Sequence, residues 1–187
     1  LFRTFGTKFE DDRLDRGIAL VSPLNVSVYP YAGTLLAFGE QGQPWELDPL
    51  TLETRGVYNF NGRINPISPF SAHAKIDAAS GELFNFGISF SATQPALNLY
   101  RFDADAALVY RKRLHLDWPC STHDFSLSRS YAVFYLSPYL LDIEAMMEGA
   151  TLMDALKWEP QRLSRLLVAR REDGGEVLRL ELGDKYC

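Results

Sequence analysis

The chain has 187 residues, 47% of them hydrophobic and 13% aromatic, enough for one domain with a substantial core and too apolar for wholesale disorder. A net charge of -5, from 19 Lys+Arg against 24 Asp+Glu, argues against a nucleic-acid surface, which needs a basic stripe. No apolar run approaches the roughly 18 residues of a membrane-spanning helix, and two cysteines, Cys120 and Cys187, cannot build a disulfide framework. A reducing compartment, the cytoplasm, is the expectation.

In chain order the dominant pattern is the strand and hairpin. The stretch NVSVYPYAGTLLAFGE predicts two short strands around Tyr31-Ala32-Gly33, and PWELDPLTLETRGVYNF follows with a turn at Asp48-Pro49, where proline presets φ. Another pair flanks Asp103-Ala104-Asp105 in LNLYRFDADAALVYRKRLHL, and EDGGE forms a hairpin turn between SRLLVARR and VLRLEL. The exception is Leu141 to Trp158, whose Met, Ala, Leu and Glu content favours short helices near 143–156, with Gly149 separating two of them and Thr151 with Asp154 as a start signal.

A repeat underlies these elements. Asn25, His73 and His123 stand 48 and 50 residues apart, and each is followed nine or ten residues later by an apolar burst: LLAF, LFNF and AVFY. A period of about 40 to 50 residues made of short strands is the signature of a propeller blade. The expected fold is therefore all-β, a single domain over 1–187 with three blade-like units at about 24–68, 69–118 and 119–187, and a short helical excursion.

In such an arrangement His73 and His123, opening equivalent strands, project toward one another at the axis. Neutral imidazole is a good ligand for iron, copper, zinc or nickel, so two of them form half of a metal centre. Each histidine by itself reads first as a hydrogen-bonded strand-end residue, and the shared register brings the ligand reading level with it. His115 lies outside the register and is expected on a strand surface. Cys120 and His123 have no second pair at zinc spacing, and a buried Cys120 after Pro119 is the better reading. Ser121, His123 and Asp124 are neighbours in sequence, whereas a catalytic triad meets through the fold; phosphate-loop and dinucleotide fingerprints are missing.

Several blocks resemble one family. LLAFGEQGQPWELDPLTLETRGVY, FSAHAKIDAASGELFNFGISF, CSTHDFSLSRSYAVFYLSPYLLD, LKWEP and VARREDGGEV are similar, in order and spacing, to the carotenoid cleavage oxygenases, which include apocarotenoid oxygenases, stilbene-cleaving dioxygenases and a retinoid isomerase. The resemblance runs from about Asn25 to Glu176. It implies a seven-bladed β-propeller, of which this chain is about three blades, holding one Fe(II) on its axis through four histidines. The Ala72-His73-x-Lys75-x-Asp77 block carries one ligand onto His73, and the His123-Asp124-Phe125 block another onto His123. The Leu35-Leu36-Ala37-x-x-Glu40 block carries onto Glu40 a glutamate expected to orient His123; from the residues alone Glu40 reads as a solvated turn charge. The remaining two histidines are expected beyond Cys187, so the 187-residue section by itself is not expected to be active.

The activity implied is cleavage of a conjugated carbon–carbon double bond of a carotenoid or apocarotenoid by O2, giving two carbonyl products. The implied partners are a lipophilic polyene and O2, and peripheral contact with a membrane occurs in the family. Stilbene-cleaving members place a lysine directly before the glutamate matched by Glu40; Gly39 stands here, which tilts away from stilbenes. Rival readings are a retinoid-type isomerase on the same fold and a metal-free propeller used as a binding scaffold. Phe70, Phe90, Phe125 and Tyr135 are candidate tunnel walls, with ordinary core as the plainer expectation.

Overall fold

Turn chemistry sets where the strands stop. In the computed structural model, which describes residues 24–40, 42–89, 91, 93–150 and 152–183, strand β1 (Ser27–Tyr31) pairs with β2 (Thr34–Phe38) across Ala32 and Gly33. Both turn residues have positive φ, 48° and 79°, the backbone that matches a two-residue hairpin to strand twist. Longer connections use an aspartate side chain instead. Asp48 Oδ1 accepts from the backbone N–H groups of Leu50 (2.8 Å) and Thr51 (2.9 Å), and Asp77 and Asp103 repeat the device at two later hairpins.

The first sheet continues through β3 (Trp45–Leu47) and β4 (Thr54–Val57), in spatial order β1-β2-β3-β4. The second repeats the meander as β5 (Lys75–Ile76), β6 (Leu83–Ser89), β7 (Ala96–Phe102) and β8 (Leu108–His115). The third begins with β9 (Phe125–Leu127) and β10 (Tyr131–Leu136), then leaves the pattern. An excursion runs through β11 (Tyr139–Leu141), α1 (Ile143–Met147), α2 (Leu152–Ala155), β12 (Leu156–Trp158) and a 3-10 turn at Pro160–Arg162. It returns as β13 (Arg165–Arg170) and β14 (Glu176–Glu181), completing the order β9-β10-β13-β14.

The excursion corrects the sequence reading in part. Helices occupy 143–147 and 152–155 with Gly149 between them at φ 104°, but Leu141 and Leu156 to Trp158 are extended and pair as a two-stranded ribbon. Asp142 starts the first helix, its Oδ1 accepting from Ala145 N–H at 3.0 Å. Thr151 lies outside the described residues, as do Phe90 and Cys187.

The middle sheet is covered on both faces. Phe84, Phe86, Ile88, Leu97 and Leu99 pack against Phe125, Phe134 and Leu167 of the third sheet. From the other face Leu83, Tyr100 and Phe102 meet Leu36, Phe38, Phe60 and Phe70. Burial on two faces explains why β6 and β7 read as near-continuous apolar runs, whereas β10 alternates, with Ala132, Phe134 and Leu136 buried and Tyr131 and Tyr135 exposed. Three successive four-stranded antiparallel meanders packed face to face are a section of a β-propeller. Among the described residues, no helix is long and apolar enough to cross a membrane.

Candidate metal centre

Asn25, His73 and His123 each stand two residues before the first strand of their sheet, β1, β5 and β9. These strands form one edge of every sheet, so the anchors arrive at one place in the fold. The structure brings His73 and His123 together with their Nε2 atoms 2.8 Å apart and their rings at 70°. Glu40, two residues past the end of β2, puts Oε2 3.0 Å from the other nitrogen of His123, Nδ1. Each sheet thus contributes one residue, and the ligating atoms of all three lie within 4.8 Å of one another.

Glu40 Oε2 is the acceptor in its contact, so His123 Nδ1 carries the hydrogen and its Nε2 presents a lone pair. The tautomer is the one a metal-binding imidazole requires, and a carboxylate behind the ring fixes its orientation. Spacing fits as well. The two Nε2 atoms, 2.8 Å apart, stand close enough for one ion to be held by both at a typical metal–imidazole distance of about 2.1 Å. The donor set of two imidazoles, one held by a carboxylate, suits a transition metal of the iron, copper, zinc or nickel kind.

The walls around the histidines hold this geometry. Lys75 Nζ of β5 meets Asp124 Oδ1 at 2.7 Å, joining the residues just beyond the two histidines. Burial works to raise the Asp124 carboxyl, but the hydrogen bonds from Lys75 and from Phe125 N–H prevail and hold it below the usual range. Beside the cluster lies a cavity of about 430 Å³. Its lining includes Glu40 and His123 on the polar side and Phe70, Phe86, Ile88 and Leu156 on the apolar side.

Other sequence candidates fall elsewhere. Phe70 is buried and lines the cavity, and Phe125 is core, 5.3 Å from the Phe86 ring centroid. Tyr135 is exposed rather than core, because its β10 position faces away from the middle sheet; its hydroxyl lies 2.6 Å from Ser164 Oγ, and it lines a second pocket that includes His123. His115 is exposed at the end of β8. Cys120 is buried, its thiol pushed up to about 11 by desolvation, and it stands outside the Glu40–His73–His123 group. The residue reading missed Ser71 and Asn85, which link the two histidine segments. A signal was present, since Asn85 is a fully buried amide inside the apolar run LFNFG.

Known proteins resemble this chain in sequence and in fold. The family model described as retinal pigment epithelial membrane protein matches residues 1–185. Isoeugenol monooxygenase of Pseudomonas putida is 31% identical over 96% of this chain and 37% of its own length. The crystal structure of Pseudomonas brassicacearum lignostilbene dioxygenase superimposes with a TM-score of 0.75 and 31% identity, over 84% of this chain and 32% of that one. Cobalt-substituted Synechocystis apocarotenoid oxygenase gives a TM-score of 0.78 at 25% identity, over 97% and 40%. The chain spans between about a third and two fifths of the length of these relatives. It belongs to the retinal pigment epithelial membrane protein family, that of the carotenoid cleavage oxygenases.

Proposed function

We propose that the chain is part of a non-haem Fe(II) dioxygenase that cleaves a conjugated C=C bond of a carotenoid or apocarotenoid with O2. The observation that carries this reading is the convergence of His73 and His123 Nε2 at 2.8 Å, with Glu40 on the far nitrogen of His123. His73 and His123 would hold the iron, and Glu40 would keep His123 in the ligating tautomer. Bound there, iron(II) supplies the redox chemistry by which O2, otherwise slow to react with an alkene, attacks one. The balance is simple: one alkene and one O2 give two carbonyls, each taking one oxygen atom, with no outside electrons or protons.

The remaining contributions belong to the cavity. Phe70, Phe86, Ile88, Leu141 and Leu156 offer an apolar wall along which a polyene could lie, with His123 on the polar side. Apolar contact holds the double bond in place and keeps water from the reacting carbons. Aryl-conjugated alkenes are a second substrate reading. It is favoured by the relatives named for isoeugenol and lignostilbene, and opposed by Gly39 where a phenol-binding lysine would stand.

The test is iron per chain in the full-length protein purified without oxygen, beside its His123→Ala variant. Near one iron in the parent and little in the variant is the expected result. Equal and negligible iron in both, even after Fe(II) is supplied, refutes the oxygenase reading and leaves a scaffold. Product mass under ¹⁸O2 then separates cleavage, which adds one labelled oxygen to each fragment, from retinoid-type isomerisation, which adds none.

A further inference from the structure

His73 and His123 belong to different sheets, so their spacing depends on what ties the segment before β5 to the segment before β9. Beyond the two histidines the Lys75–Asp124 ion pair joins these segments, and between the histidine backbones themselves one hydroxyl makes a tie. Ser71 Oγ accepts from the backbone N–H of His73 at 3.2 Å and donates to the backbone carbonyl of His123 at 3.2 Å. A serine hydroxyl has one proton and two lone pairs, so a single atom serves both histidine residues without conflict.

Ser71 is itself clamped. Asn85 of β6 accepts from Ser71 N–H at Oδ1 (2.9 Å) and donates from Nδ2 to Ser71 C=O (2.9 Å), closing an amide-to-peptide pair. Ser71 N–H also lies 2.7 Å from the Phe86 carbonyl. Asn85 is 0% exposed and Ser71 5%, so water does not compete for these bonds. A buried amide in the middle of an apolar strand costs stability unless fully paired, and its pairing here is directed at the residue whose hydroxyl bridges the two histidine backbones.

We infer that Ser71, clamped by Asn85, is a positioning residue that sets the spacing of His73 and His123 for a metal ion. The inference rests on the metal reading above. Neither residue belongs to the Glu40–His73–His123 group; Asn85 lies off the cavity wall, and Ser71 is on it with its hydroxyl engaged by the two histidine backbones. Their effect passes through the histidine backbones, in the way that groups supporting metal ligands typically change affinity by about 10–100-fold.

Co(II) is the probe, because its visible absorption reports the geometry of its ligands as well as its affinity. The full-length protein, Ser71→Ala and Ser71→Thr are titrated with Co(II) anaerobically, with far-UV circular dichroism and melting recorded for each. Ser71→Ala is expected to stay folded, bind Co(II) at least about tenfold more weakly and shift the visible band. Ser71→Thr keeps the hydroxyl and is expected to keep the parent's band. Unchanged affinity and band in Ser71→Ala would overturn the inference. So would a threonine variant shifted as far as the alanine one, or loss of fold in Ser71→Ala, which would assign the hydroxyl to the fold alone. A parent that binds no Co(II) refutes the metal reading itself, an outcome distinct from the others.

Discussion

Gly87→Ala is the substitution whose cost the structure fixes most directly. Gly87 lies in β6 beside the cavity, and a Cβ built on it would stand 2.3 Å from both the carbonyl carbon and the oxygen of Pro69, and 2.7 Å from Pro69 Cβ. Carbon atoms rest at about 3.5–4.0 Å, so relief needs a shift of more than about 1 Å. The obstacle is backbone, which cannot swing aside as a side-chain tip does. Overpacking of this kind costs about 1–3 kcal/mol, and the backbone contact puts Gly87→Ala at the upper end. For a unit of this size that lowers Tm by about 5 °C or more. The control is Gly183→Ala, since nothing lies within 4 Å of a Cβ built there. Pro69 stands two residues before Ser71 and four before His73, so the displaced segment is the one that carries the site, and Co(II) affinity should fall along with Tm. If Gly87→Ala melts within about 1 °C of the Gly183→Ala control, the close approach is soft and the reasoning fails.

Three further outcomes are expected. Arg171 joins Asp77 and Glu82 across the second and third sheets. The Arg171 hydrogen bond holds the Asp77 carboxyl below its ordinary value of 3.8, and Glu82 sits below 4.5 because Arg101, Ser80 and Arg171 together outweigh the burial that would raise it. Depressed folded-state values stabilise fully above the ordinary ones and less as pH falls through them, so the melting gap between parent and Arg171→Met should be constant from pH 7 to about 5 and narrow below about 4; a gap that widens in acid refutes this. Cys120, buried with its thiol pushed up to about 11, should be labelled by a thiol reagent only on unfolding, as mapped by peptide mass; prompt labelling of the native protein contradicts the packing. The 187-residue chain expressed alone should self-associate, because Val177, Leu178 and Leu180 are exposed on β14, whose outer edge has no partner strand among the described residues. A monomer with a sharp, reversible melt in light scattering and calorimetry would count against it.

Much of the fold was legible because its turns are chemically marked. Ala32-Gly33, Asp48-Pro49, Asp103 and Gly174-Gly175 all lie where the strands reverse. The first strands β5 and β9, with two and three residues, are too short for any alternation to register, and only the repeat of the anchors locates them. The misread end of the excursion has a different cause. Leu156-Lys157-Trp158 has acceptable helix propensity, and it is extended because Tyr139 to Leu141 offers it a ladder, a tertiary effect invisible in a local window.

The site was legible to different depths for different residues. A position two residues before the first strand recurs at the same place in every sheet, so a shared histidine there meets its counterpart whatever lies between, and counting along the chain is enough to pair His73 with His123. Glu40 obeys no such count: it follows β2 rather than preceding β1, and its partner is 83 residues away. Only the family resemblance singled it out. Asn25 occupies the recurrent position in the first sheet and lines the cavity without belonging to the Glu40–His73–His123 group. The first sheet therefore sends a carboxylate toward the centre from a different strand, and that carboxylate faces the back of an imidazole. The repeat predicts where side chains converge, while the chemistry at that point depends on the residues that break it.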